Sequence, residues 1–169
     1  MKIIKQTTHD TCQACALLMI VNGNKKDEIE VWKHGWNFNY LMGQINYVAK
    51  KYNKNLVAYI ENKYYFKELL NQKKGRVELK NEKIDLKLIK KFIRDNNVAV
   101  YVDAYYPYAA GNFHAPHFWV ILKIDNEFIE VADPWYGKEM KMPVNVFKKA
   151  IISLRNHLKY SPVIIITPK

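Results

Sequence analysis

Cysteine is the most nucleophilic side chain near neutral pH, and Cys12 is the first of the two in this sequence. A thiol attacks a carbonyl or a disulfide only as its thiolate, so it needs a setting that lowers its pKa. Asp10 and Thr11 are helix-capping types, and Gln13 follows Asp10 by three residues, a capping-box spacing. Residues 12–21 are then apolar on nearly every face, with Gly23 placed to end the helix. A cysteine in that first turn meets free backbone N–H groups and the positive end of the helix dipole. Cys15, one turn further on, reads as core filling.

A thiolate catalyst also needs a base and a group to orient it. His117 opens an otherwise apolar strand at 117–124, and a second strand at 127–133 ends in Asp133-Pro134. A three-residue loop of 124–126 would pair 123 with 127, setting His117 across from Asp133, Trp119 across from Val131 and Ile121 across from Ile129. A two-residue loop would put His117 and Asp133 on opposite faces unless a bulge restored the parity. Gln6, in the loop entering the cysteine helix, carries an amide that can donate to an oxyanion beside the Cys12 N–H.

The run Gln6-Thr7-Thr8-His9-Asp10-Thr11-Cys12-Gln13-Ala14-Cys15 resembles the nucleophile motif of the bacteriocin-processing, double-glycine-leader cysteine peptidases. His117-Phe118-Trp119-Val120-Ile121 resembles their histidine strand, and Ala132-Asp133-Pro134 with Gly137 resembles their Asp-Pro segment. The resemblance implies a papain-like fold, with Cys12 as nucleophile, His117 as general base, Asp133 as orienting acid and Gln6 as oxyanion donor. It implies a peptide or protein substrate, such as a leader peptide, and no cofactor. Such domains are usually fused to an ABC transporter, which is not part of these 169 residues. Where the family has Asp-Cys-Gly, this chain has Thr11-Cys12-Gln13, so a side chain stands where glycine lets the substrate backbone pass.

The elements that must position these groups follow from hydrophobic period. Residues 39–52, 64–71, 85–95 and 144–158 read as helices. Residues 2–4, 56–60, 98–103 and 162–167 read as strands beside the two already named. Helices first and strands later is an α+β pattern, with the cysteine helix packed on an antiparallel sheet. The aromatic stretch 104–116, which contains His114, leads into His117 and suits a wall or flap over a cleft. Trp135 and Tyr136 suit the opposite wall, and Gln13, next to the nucleophile, is a further candidate substrate-binding residue.

The length of 169 residues fits a single domain. A 49% hydrophobic fraction supports a core, and no apolar run reaches the roughly 20 residues of a membrane helix. Two cysteines cannot form a disulfide framework, which suits a reduced, cytoplasmic setting. The net charge of +11 comes from dispersed lysines, with arginine only at 76, 94 and 155. That composition argues against a specific nucleic-acid reader, which relies on arginine forks, while allowing non-specific attraction to polyanions.

Four other readings compete on the same residues. Cys12-x-x-Cys15 at a helix start also suits thiol–disulfide exchange. Cys12, Cys15, His114 and His117 offer four zinc ligands in type, although His-x-x-His on a strand points its rings to opposite faces. A non-catalytic peptide-binding module would use the same fold, and acyl transfer to an amine the same residues.

Overall fold

The computed structural model describes residues 1–36, 39–108 and 114–169. The chain begins without a strand, residues 2–4 included, and enters α1 (Cys12–Ile20). Every residue of α1 after Cys12 is buried, as expected of a helix apolar all round. Neither cap behaves as the spacing suggests. Thr11 is the N-cap residue but makes no capping bond with its side chain, and at the other end Asn22 takes the positive φ, 56°, while Gly23 N donates to Leu18 O.

A 3-10 turn (Lys25–Asp27) leads into α2 (Glu28–His34), which is followed by α3 (Tyr40–Lys51), β1 (Leu56–Ile60), α4 (Lys63–Leu70), β2 (Val77–Asn81) and α5 (Leu86–Phe92). The second half runs β3 (Asn96–Asp103), β4 (Pro116–Ile124), β5 (Phe128–Asp133), β6 (Lys138–Pro143), α6 (Val144–Asn156) and β7 (Val163–Pro168). Side chains of Asn39, Asn62 and Asp85 accept backbone N–H bonds at the starts of α3, α4 and α5, which fixes those boundaries. Helix α2 and strands β2 and β6 are additions to the sequence reading. Each is seven residues or shorter, too few to show a clear period.

Among the described residues the seven strands form one sheet in the order β2-β1-β7-β3-β4-β5-β6. The chain is α+β, as expected, but the sheet is mixed rather than purely antiparallel, because β1 and β2 run parallel. A helical layer covers each face. α1 to α4 pack on one side around Leu17, Ile45 and Leu69, and α5 and α6 on the other around Ile89, Trp119 and Phe147. Covered on both faces, β7 is apolar without alternation through Val163, Ile164, Ile165 and Ile166. Helices α2 and α3 touch at Gly43, where an added Cβ would lie 2.0 Å from the His34 carbonyl oxygen, so only glycine allows the approach.

The β4–β5 hairpin differs in register from the three-residue-loop expectation. Asp125 folds the turn by accepting from the backbone N–H of Glu127 and Phe128. Ile124 then pairs with Ile129 and Lys123 with Glu130, and the register shifts between Ile121 and Lys123, so that Ile121 pairs with Val131 and Val120 with Ala132. The bulge restores the parity that brings His117 and Asp133 to the same face. They meet diagonally instead of directly across the ladder.

Candidate active site

His117 Nε2 lies 2.9 Å from Asp133 Oδ1, and both residues are buried. An ionised carboxylate only accepts, so Nε2 carries the proton and Nδ1 is left for a second partner. Cys12 lies close enough to the imidazole for the two side chains to influence each other's charge directly. Burial alone would push the Cys12 thiol up; the hydrogen bond and charge of His117, helped by the backbone N–H groups of Phe118 and Gln13, outweigh it and hold the thiol below its ordinary value. The effect on His117 is reciprocal. Burial disfavours its charge, but Asp133 and Cys12 raise its pKa to about 9. Both shifts run in the direction of a thiolate beside an imidazolium.

Asp133 is held from two further directions. The Trp135 backbone N–H donates to Oδ1 at 2.9 Å, and the Tyr108 hydroxyl donates to Oδ2 at 2.8 Å. Burial and the neighbouring Asp133 both raise the Tyr108 pKa, so its hydroxyl keeps the proton it donates. A turn closed by Gly137 N donating to Asp133 O, with Gly137 at a φ of 66°, fixes the backbone beneath.

Gln6 is tied to this end of the sheet through its backbone N–H, which donates to Pro134 O at 2.7 Å. Its side chain turns inward, with Nε2 donating to Thr8 O at 2.8 Å and to His9 O at 3.3 Å, while Oε1 is buried with no partner among the described residues. The loop it belongs to is anchored by Glu28. That buried carboxylate accepts from Thr7 N at 2.6 Å, from Thr7 Oγ1 at 2.7 Å, and from Thr11 Oγ1 and Lys25 Nζ. Burial opposes the Glu28 charge, but Lys25 and the threonine donors keep its pKa below the usual carboxylate value. Neither Tyr108 nor Glu28 has a spacing signature in the sequence. In the sequence Tyr108 is one of several aromatics in a loop, and Glu28 one of several charges in the run 25–30.

The other expected site residues separate. Gln13 is buried beside Cys12, with Nε2 donating to Leu41 O at 3.1 Å. Trp135 stands edge-on to His117, 6.1 Å between ring centroids, and also contacts the His9 ring. Tyr136 is exposed and packs edge-to-face on Tyr108. His114 faces another cluster: its Nδ1 lies 2.6 Å from the buried Asp103 carboxylate, and its ring stacks on Tyr105 and against His157. The central part of the expected flap, residues 109–113, lies outside the described residues.

Cys15 is fully buried, and burial together with the Glu28 charge raises its pKa, the reverse of what a thiol in disulfide exchange needs. Among the described residues no three His, Cys, Asp or Glu side chains are grouped to hold a metal ion, and His114 is engaged by Asp103 away from the two cysteines. No helix among the described residues is long and apolar enough to cross a membrane.

A cavity of about 400 Å³ opens at Cys12 and Gln13. A larger one, about 780 Å³, lies over α3 near Lys50 and Arg76 and contains neither cysteine. No family model and no curated protein matches the sequence. Among solved structures, a protein described as a C39-like peptidase from Bacillus anthracis superposes with a TM-score of 0.56 at 14% identity, covering 99% of this chain and 94% of that one. The chain shares its fold. At that identity the likeness reaches no further than the fold.

Proposed function

We propose that this chain is a papain-like cysteine peptidase in which Cys12 is the nucleophile, His117 the acid–base and Asp133 its orienter. The observation that carries the reading is the buried His117–Asp133 hydrogen bond of 2.9 Å, on an imidazole that also lowers the Cys12 pKa. A chain using the fold only to bind peptides has no need of that alignment.

In the proposed reaction the Cys12 thiolate attacks the scissile carbonyl carbon, and the carbonyl π electrons move to oxygen. Collapse of the tetrahedral intermediate breaks the C–N bond as the His117 imidazolium gives its proton to the leaving amine. His117, now neutral, takes a proton from water, whose oxygen attacks the thioester. The acid product leaves and the thiol–imidazole pair is restored. The Cys12 N–H at the start of α1 faces the developing oxyanion with one donor. Gln6 supplies the second by releasing its longer bond, the one to His9 O at 3.3 Å. Its unpaired Oε1 leaves the amide free of a clamp on that side.

The test is the pH dependence of iodoacetamide labelling at Cys12, counted separately from Cys15 by peptide mapping, in wild type and His117→Ala. Rapid Cys12 labelling well below pH 7, lost in the variant, is expected. An ordinary thiol titration in both proteins would reject the catalytic pair.

A further inference from the structure

The cavity at Cys12 is walled by rings from both halves of the chain. On one side Trp32 in α2 and Trp36 just beyond it stand edge-to-face with centroids 5.2 Å apart, next to Tyr40 at the start of α3. On the other, Tyr101 of β3 and Phe118 of β4 are stacked at 4.6 Å. Two of the polar groups around it are engaged, the Tyr40 hydroxyl donating to Asp10 O and Gln13 Nε2 to Leu41 O, whereas the buried Trp32 Nε1 has no partner among the described residues, and His9 and Asp10 also line the wall. An occupant meets mainly ring faces and edges, with the Trp32 N–H as a free donor. Trp36 is 70% exposed and Tyr40 39%, so two large aromatic surfaces at the rim stand open to water. Grouped apolar surface beside a concave site marks a binding surface more often than chance exposure does.

The chemistry also gives the cavity a direction. The leaving amine takes its proton from His117, so the leaving-group side of a bound peptide lies over His117 and Trp135. The acyl side, which stays attached to Cys12, extends away from them. Cys12 and Gln13 border the cavity, whereas His117, Asp133 and Trp135 do not.

We propose that this cavity is the acyl-side specificity site, and that it selects peptides carrying an aromatic or large aliphatic side chain within two residues of the bond cleaved. A Gly-Gly sequence at those positions would leave the rings hydrated. A phenylalanine there buries its own surface and that of Trp36 and Tyr40. The proposal rests on Cys12 being the nucleophile.

The experiment compares three chloromethyl ketones, Ala-Ala-Gly-Gly, Ala-Ala-Phe-Gly and Ala-Ala-Gly-Phe, with iodoacetamide as the probe that ignores the cavity. In each peptide probe the Cys12 sulfur displaces chloride to form a thioether, read by mass mapping. One of the two Phe probes is expected to label Cys12 at least about tenfold faster than the Gly-Gly probe. Trp36→Ala should cut that ratio to about threefold or less, and Tyr64→Ala, at an exposed position on α4, should leave it unchanged. If iodoacetamide shows a reactive Cys12 and the Gly-Gly probe is as fast as both Phe probes, the specificity proposal is overturned while the nucleophile stands. A Phe preference untouched by Trp36→Ala overturns the assignment to this cavity. If iodoacetamide finds an ordinary thiol at Cys12, the peptidase reading fails and the proposal falls with it.

Discussion

The Tyr108 hydroxyl donates to Asp133 Oδ2 at 2.8 Å while Asp133 Oδ1 accepts from His117, so a loop residue nine positions before His117 holds the carboxylate that holds the imidazole. Both oxygens of a buried carboxylate are thereby satisfied, and Asp133 cannot turn without breaking one bond. Tyr108→Phe keeps the ring and removes the donor. Turnover is expected to fall about tenfold, the effect of one hydrogen bond to a charged group. The carboxylate, less neutralised, should grip the His117 proton harder, moving the alkaline limb of the kcat/KM profile upward. A limb that stays in place would assign Tyr108 to packing alone.

In the proposed reaction His117 must be protonated to release the amine, and its pKa is raised to about 9. Activity should therefore persist to mildly alkaline pH and decline as pH rises through about 9. The acid limb should lie below the ordinary thiol value, since the Cys12 pKa is lowered. In His117→Ala the lowering influence of the imidazole is gone and burial remains, so Cys12 should titrate above an ordinary thiol. Labelling by iodoacetamide across pH measures both.

The two cysteines should behave oppositely. Cys12→Ala is expected to abolish peptide hydrolysis with little change in melting temperature. Cys15→Ala, in the fully buried interior of α1, should retain hydrolysis and cost about 1 kcal/mol in urea unfolding. The reverse pattern would reject Cys12 as the nucleophile.

Gln6→Ala removes the proposed second oxyanion donor. A fall in kcat of roughly 10²–10³ is expected, as for other single-donor losses. An unchanged kcat would mean that the amide stays bound to Thr8 and His9 throughout the reaction.

Glu28→Gln keeps the shape of the buried anchor but removes the charge that Lys25 and the threonine donors surround. A loss of about 2 kcal/mol in urea unfolding is expected from the weakened charged hydrogen bonds. Because that carboxylate fixes the loop running from Gln6 to Thr11, kcat should drop as well, whereas stability lost without any change in kcat would make Glu28 a purely structural anchor.

Long apolar periods and local caps were legible in the sequence. They located α1, α3, β3, β4, β5, α6 and β7 to within two residues or so at each end, since burial of one face or both is written into residue type along the element. Residue types and order likewise single out Cys12, His117 and Asp133 as candidates. What tertiary structure decided was how those groups meet. The β4–β5 bulge between Ile121 and Lys123 sets the parity of His117 and Asp133, and a one-residue shift in a ladder carries no compositional mark. The parallel β1–β2 pair, the turn of His114 toward Asp103, the anchoring by Glu28 and the Tyr108–Asp133 bond all join residues at least eleven positions apart. Their partners are chosen by packing across the fold, which neither local propensity nor hydrophobic period encodes.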